Sequence, residues 1–196
     1  MGYIFYIMGK SASGKDMIYR RLMEENTLGL EKLVLYTTRP IRAGEADGRE
    51  YYFTDEATLV AMRARGCVIE ERTYETVAGP WTYFTADDGK IDLTARHYLA
   101  IGTLESYRKI REWFGADRVI PLYIEVEDGE RLMRAIARER QQDSPNYREL
   151  CRRFLADAED FSEENVAAAG ITTRFLNDGT PEECCRKVEE YIGAML

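Results

Sequence analysis

Gly9-Lys10-Ser11-Ala12-Ser13-Gly14-Lys15-Asp16 constrains this chain more than any other stretch. It has the form G-x-x-x-x-G-K, and its flanks are the ones the form requires. Before it, Tyr3-Ile4-Phe5-Tyr6-Ile7-Met8 is apolar throughout, the pattern of a strand buried on both faces of a parallel sheet. After it, Lys15 to Asn26 is built of good helix formers, with Met17, Ile18, Leu22 and Met23 on one apolar stripe. Small residues between a strand and a helix let backbone N–H groups turn inward around an anion. The helix N-terminus adds partial positive charge. Gly9, Ser11, Ala12, Ser13 and Gly14 are therefore candidates to cradle phosphates, and Lys15 to reach the outer phosphates of a nucleoside triphosphate. The competing reading, a strand-to-helix turn that binds nothing, is disfavoured by the correct flanks. Asp16 stands where a Mg²⁺-binding Ser or Thr is usual. Two readings of it stay open: a Mg²⁺ ligand, or a carboxylate compensating the helix N-terminus.

Strand and helix patterns alternate along the rest of the chain. Strands are expected at 33–36, 51–53, 97–102, 119–126 and 171–176. Helices are expected from Asp55 to Arg65 with Thr54 as cap, from 103 to Phe114, from Arg131 to Arg140, and from a Ser144-Pro145 cap to about Ala168. Thr180-Pro181-Glu182-Glu183 is a capping box that opens a final helix. Cys67 to Thr85, broken by Gly79-Pro80, is expected to form a hairpin or small sheet. Its aromatics Tyr74 and Trp81 are read as packing, with stacking on a base as the alternative. Alternation of strands and helices argues for an α/β fold with a parallel sheet, interrupted by a β-rich lobe.

The chain has 196 residues, enough for one core with inserted lobes, and 45% of them are hydrophobic, which excludes a disordered chain. Its net charge of -8 argues against a protein that coats nucleic acid. No apolar run approaches the ~20 residues of a membrane span, and no signal peptide is read at the start. Four cysteines without a C-x-x-C pair and a single histidine, His97, make a zinc site improbable on composition. Reduced thiols in a cytoplasmic protein are the expectation. Cys184-Cys185 and His97 are read as structural.

Thr37-Thr38-Arg39-Pro40-Ile41-Arg42-Ala43-Gly44-Glu45 runs on to Gly48 and to Tyr51-Tyr52-Phe53. Two arginines three apart, followed by tyrosines, offer guanidinium forks and phenol donors to a second phosphate. Alone this is weak, since a solvated polar loop has similar composition. Together with the 9–15 loop it resembles the guanylate kinase family, in which T-T-R-x-x-R-x-G-E-x-x-G-x-x-Y-x-F follows the first βαβ unit. The resemblance runs over nearly the whole chain. Gly66-Cys67-Val68-Ile69-Glu70 looks like the segment ending in the base-reading glutamate, with Glu71 as the competing position. Tyr83-Phe84-Thr85 looks like the family's Tyr-Gly-Ser/Thr. Arg134, Arg138 and Arg153 look like its lid arginines, and Asn177-Asp178 like the Asn-Asp that lies near the adenine. Chemistry agrees with a lid: Arg131 to Arg153 holds seven arginines against three acids, inside an acidic chain. The competing reading is arginines on solvated helix faces, such as Arg134 paired with Glu130.

The resemblance implies a P-loop NTPase parallel-sheet core (1–36, 86–127, 170–196), an inserted acceptor-binding lobe (37–85) and a helical lid (128–169). It implies phosphoryl transfer from ATP to GMP. Lys15, Arg39, Arg134, Arg138 and Arg153 would be catalytic. Arg39, Arg42, Tyr51, Glu70, Tyr83 and Thr85 would bind the acceptor, and Asn177 the ATP. The cofactors are ATP and Mg²⁺, with Asp16 as the metal-side carboxylate; the partners are small nucleotides, neither nucleic acid nor membrane. The sequence says nothing of oligomeric state. The chain departs from the family at Leu35, where a serine contacts guanine, and at Ala100 and Gly102, where an Asp-x-Asp is usual. A same-fold kinase for another phosphorylated acceptor is therefore the first alternative. A catalytically silent module that grips a phosphorylated partner is the second.

Overall fold

A computed structural model describes residues 1–76 and 79–196. The apolar run at the start forms β1 (Ile4–Met8), buried at all five positions. It is the middle strand of a five-stranded sheet whose order is β2-β7-β1-β8-β9 and whose every pairing is parallel. The partners are β2 (Glu31–Lys32), β7 (Tyr98–Ile101), β8 (Val119–Glu125) and β9 (Arg174–Leu176). Alternation along β1 divides the core in two. Phe5 and Ile7 face α1 (Lys15–Glu25) and α7 (Pro181–Gly193), where Ile18, Leu22, Cys184, Cys185, Val188 and Ile192 are buried. Ile4, Tyr6 and Met8 face α3 (Leu104–Phe114) and α6 (Glu163–Ala168), with Tyr107, Ile110 and Val166. The two cysteines pack as expected; burial pushes the Cys184 thiol up to about 11.

A second sheet carries the β-rich insertion, in the order β4-β3-β6-β5. It consists of β3 (Tyr36–Thr37), β4 (Tyr52–Phe53), β5 (Val68–Thr76) and β6 (Gly79–Ala86), and α2 (Glu56–Ala64) packs against it. The segment expected to form a lid holds α4 (Asp128–Glu139) and α5 (Tyr147–Asp160), which lie against each other.

Several boundaries differ from expectation. The strand expected at 33–36 is two: Leu33 still donates to Leu99 O at the edge of the large sheet, and Tyr36 already pairs with Tyr52 and Phe84 in the small one. One apolar run cannot reveal that its ends serve different sheets. Asp55, not Thr54, caps α2, because its carboxylate accepts from Thr58 N. Asn146, not Ser144, caps α5. The helix expected to reach Ala168 ends at Asp160, and Ser162 caps α6 afresh. α4 starts at Asp128 rather than Arg131, with Glu127 accepting from Glu130 N. The last strand is shorter than expected, starting at Arg174. Gly79 and Pro80 lie within β6 rather than breaking it, and residues 77 and 78 of the expected break fall outside the described residues. The Thr180 capping box forms as expected, with Pro181 in the first turn.

Phe161 sits at the break between α5 and α6 and stacks flat on Tyr123 of β8, with centroids 5.6 Å apart. This contact ties the base of the lid segment to the sheet. Phe161→Ala is expected to cost about 3 kcal/mol, read from urea unfolding, because a large aromatic leaves a cavity that the sheet cannot close.

Candidate active site

The Gly9–Lys15 loop leaves the end of β1 and is held by three distant segments. Gly9, Ala12 and Gly14 take positive φ angles of 157°, 62° and 88°. A Cβ at Gly9 would strike Ile124 O, and one at Gly14 would strike the Asn177 side chain. Both glycines are thus dictated by close approach as well as by conformation. Asn177 follows β9, is 1% exposed, and donates from Nδ2 to Ser13 O at 2.8 Å. The resemblance puts it near the adenine; here it lies against the loop. Its Oδ1 and the buried Ser13 Oγ have no hydrogen-bond partner.

On the other side, Asp157 of α5 accepts from Ser11 N at 2.8 Å. Arg131 of α4 bonds the same Asp157 oxygen at 3.2 Å and Ser11 O at 3.3 Å, and also pairs with Asp128. Its guanidinium lies 4.0 Å from the centroid of the Phe154 ring, and the residue is 1% exposed. Lys10 Nζ reaches Asp128 at 3.0 Å. Arg131, Asp157, Asp128 and Lys10 were not singled out by the sequence, because the pairing is set by which helix faces meet. Arg138 and Arg153 line a small groove with Ser11, Arg131 and Phe154, so these two candidate lid arginines come to the loop. Arg134 instead pairs with Glu130 at 2.9 Å, four residues earlier on its own helix. Lys15 Nζ is 3.6 Å from the largely exposed Asp16 carboxylate in the first turn of α1.

The second group forms on the small sheet. Thr37 and Thr38 tie the clamp segment to β6: Thr37 Oγ1 donates to Thr82 O, and Thr38 Oγ1 accepts from Thr82 N. Arg39, 3% exposed, forms a fork with Glu45 at 2.7 and 3.0 Å and lies beside the rings of Tyr51 and Phe53. Hydrogen bonds from Arg39, and one from Arg42 N, hold the Glu45 carboxyl below the usual carboxylate range. Arg42 is exposed and sits 5.9 Å from the Trp81 ring centroid. Tyr51 and Tyr83 meet edge to face at 5.5 Å.

These aromatics border a cavity of about 470 Å³ lined by Leu35, Tyr51, Arg72, Tyr74, Trp81, Tyr83 and Ile101, among others. Tyr74 and Trp81 thus line a cavity instead of a core, which corrects the packing reading of these residues. A bulge between Val68 and Glu70 sets the register of β5 so that Glu70 stands opposite Thr85. Glu70 is buried and accepts from Thr85 Oγ1 at 2.7 Å, while Glu71 points outward to Arg63. Arg72, also not singled out by the sequence, lies with Nε 3.2 Å from Glu70 Oε2.

The departures at Ala100 and Gly102 have a steric cause. Ala100 stands beside Tyr6 in the β1–β7 register. The Tyr6 hydroxyl bonds Ser106 Oγ at 2.7 Å and fills the space into which a Cβ on Gly102 would project. Burial drives the Tyr6 phenol far above its ordinary range, so it stays protonated. No side chain fits at 102 while Tyr6 is present.

The guanylate kinase family model matches residues 3–81. A guanylate kinase of Nitrobacter winogradskyi is 44% identical over 69 residues, 35% of this chain and 31% of that relative. One of Nitrosomonas europaea is 39% identical over 70 residues, 36% of this chain and 34% of that relative. The matched stretch thus spans about a third of the length of either relative. The crystal structure of guanylate kinase from Anaplasma phagocytophilum superposes with a TM-score of 0.65 at 19% identity, over 99% of this chain and 86% of that one. The expected α/β fold and the resemblance to guanylate kinases are both borne out.

Two outcomes follow from the geometry. Gly102→Ala is expected to destabilise by about 2 kcal/mol through overpacking. Tyr6→Phe/Gly102→Ala should be more stable than the two single losses added together, since the clash is with the hydroxyl; a thermal-unfolding double-mutant cycle reads this. Asp157→Ala is expected to cost about 3 kcal/mol, because it strips one partner from the buried Arg131. Denaturant melts of that variant check it.

Proposed function

We propose that this divergent relative of the guanylate kinases transfers the γ-phosphoryl group of ATP to GMP, giving ADP and GDP. The observation that carries the reading is that the Gly9–Lys15 loop and the aromatic cavity lie at the C-terminal ends of neighbouring parallel strands. β1 ends at the Gly9–Lys15 loop, and β7, its neighbour, ends at Ile101 in the wall of the aromatic cavity. Ligands of open α/β sheets bind at such strand ends. The Ser11 amide, bonded to a carboxylate within the chain, supports an anion-seeking loop.

In this reading Lys15 and the loop amides hold the ATP phosphates. Arg39, fixed by Glu45, and Arg42, Tyr51 and Tyr83 hold the phosphate of GMP. Glu70, positioned by Thr85, accepts from the N1–H and 2-amino groups of guanine. Arg138 and Arg153, beside Ser11, neutralise charge that develops on the transferring group. Transfer is in line and needs little from a general base. Closure of the lid over the cleft keeps water from taking the phosphoryl group.

Among the described residues no group of three or more His, Cys, Asp or Glu side chains is arranged to hold a metal ion. Asp16 offers one carboxylate at the loop, which fits Mg²⁺ held chiefly by nucleotide oxygens and water. Bound there, Mg²⁺ supplies charge neutralisation on the phosphates. The free thiols of Cys67, Cys151, Cys184 and Cys185 fit a cytoplasmic enzyme. A second reading, the same chemistry on a different phosphorylated acceptor, is favoured by Leu35 in the cavity wall and by the Tyr6 hydroxyl beside Gly102.

ADP formation from Mg-ATP with GMP, AMP, UMP, CMP or dTMP separates the two. Turnover is expected with GMP, and Lys15→Ala should lower it by roughly a hundred- to a thousand-fold. Turnover with another acceptor alone selects the second reading; silence with all five rejects nucleotide kinase activity.

A further inference from the structure

We propose that Arg72 is a specificity-determining residue of the acceptor site, reading the O6 and N7 acceptors of guanine beside Glu70. The inference rests on the reading of this site as a GMP site and says how the base is held there.

Glu70 and Arg72 are two apart on β5, so they share a face of the strand. Glu70 is buried, with Oε1 taken by the Thr85 hydroxyl and Oε2 3.2 Å from Arg72 Nε. Arg72 is less buried and lines the 470 Å³ cavity between Tyr74 and Tyr83. Its Nε is shut away from solvent and has no hydrogen-bond acceptor, despite its nearness to Glu70. The ion pair therefore leaves the guanidinium with donors unspent.

The remaining walls raise the demand for such a donor. Leu35 and Ile101 present only carbon to the cavity, and besides Arg72 the lining offers Thr76 and the aromatics Tyr51, Tyr74, Trp81 and Tyr83, none of them cationic. A guanine ring seated there carries, in order along one edge, the 2-amino donor, the N1–H donor, the O6 acceptor and the N7 acceptor. Glu70 meets the first two. Without Arg72, no cationic fork would meet the last two, and a buried acceptor left unmet is costly. Arg72 in the wall, with the Glu70 carboxylate next to it on the same face of β5, repeats the order of that edge. A guanidinium fork on O6 and N7 is the commonest specific contact made to guanine. Adenine, with an amino group at position 6, would set donor against donor. Arg72 thus supplies the polar contact that Leu35 gives up.

The competing account is that Arg72 only neutralises and covers Glu70. Steady-state kinetics of the wild-type protein, Arg72→Met and Arg72→Lys with GMP and with 7-deaza-GMP, which lacks the N7 acceptor, separate the two. The wild-type protein is expected to lose roughly ten-fold in kcat/KM on going from GMP to 7-deaza-GMP, one acceptor of the pair being removed. Both variants should be slower with GMP by roughly ten- to a hundred-fold; Arg72→Met should be nearly indifferent to the N7 change and Arg72→Lys, which keeps a donor but loses the fork, less sensitive to it than the wild-type protein. Binding of a fluorescent ATP analogue and the melting temperature of each variant report on the rest of the fold. Arg72→Lys keeps the charge next to Glu70, so it decides the matter if Arg72→Met fails to fold. Equal or faster GMP turnover in the variants, or an N7 effect that persists undiminished in them, overturns the role of Arg72 while leaving the GMP reading intact. A wild-type protein inactive on GMP overturns both, and that is seen before any variant is compared.

Discussion

A loop whose peptide groups must converge on one point is unstable by itself, since its N–H groups repel and its residues sit at costly φ values. In this chain the Gly9–Lys15 loop is kept in place by contacts from three directions. The Asn177 amide holds Ser13 O from the end of β9, and the backbone of β8 closes under Gly9. Asp157 and Arg131 grip Ser11 from the lid helices. The last contact matters most for the architecture. Arg131 is buried with its charge, and it persists there because Asp128, Asp157 and the Phe154 ring surround it. Through it, the orientation of the lid helices and the shape of the loop become one problem.

The small sheet solves a different problem: it holds one buried cation in a fixed place by pairing it with an acid. Arg39 is held by the Glu45 fork and lies beside the Tyr51 and Phe53 rings, so its position is fixed before any ligand arrives. The depressed Glu45 carboxyl keeps that fork intact: its stabilising contribution is present at neutral pH and is lost only as pH falls below the ordinary glutamate range. Arg42 is left outside at the mouth, over Trp81. A buried, fixed cation and an exposed one thus stand side by side.

Features carried by local pattern were legible in the sequence. The apolar run of β1, the spacing of Gly9, Gly14 and Lys15, and the Thr180 capping box each depend on neighbours within a few residues, and each appears as read. What was hidden depends on which distant surfaces meet. Arg131 and Asp157 are 26 residues apart on different helices, and nothing in their own surroundings in sequence sets them off from Arg134 or Glu159. Tyr74 and Trp81 read as core because alternation cannot tell a packed face from a cavity wall. The inward aim of Glu70 rather than Glu71 depends on one bulge residue, and a bulge reverses the parity on which strand reading rests.

The distribution of likeness along the chain bears on the same point. The family match ends at residue 81, and it takes in the Gly9–Lys15 loop and the Arg39–Glu45 fork. Beyond it lie Tyr83 and Ile101 of the cavity wall, Thr85, which bonds Glu70, and Gly102 and Ser106, which meet Tyr6. These last contacts are mutually dependent. Gly102 is tolerable because Tyr6 fills its space, the buried Tyr6 hydroxyl is satisfied by its hydrogen bond with Ser106 Oγ, and Ser106 is held in the capping box of Thr103 that starts α3. A side chain cannot be added at 102 without changing Tyr6. Backbone amides and guanidinium forks are indifferent to what packs behind them, so the packing around Gly102 can be rebuilt as a set without touching the Gly9–Lys15 loop, and here the set includes a strand β1 tyrosine that lies at the centre of the main sheet.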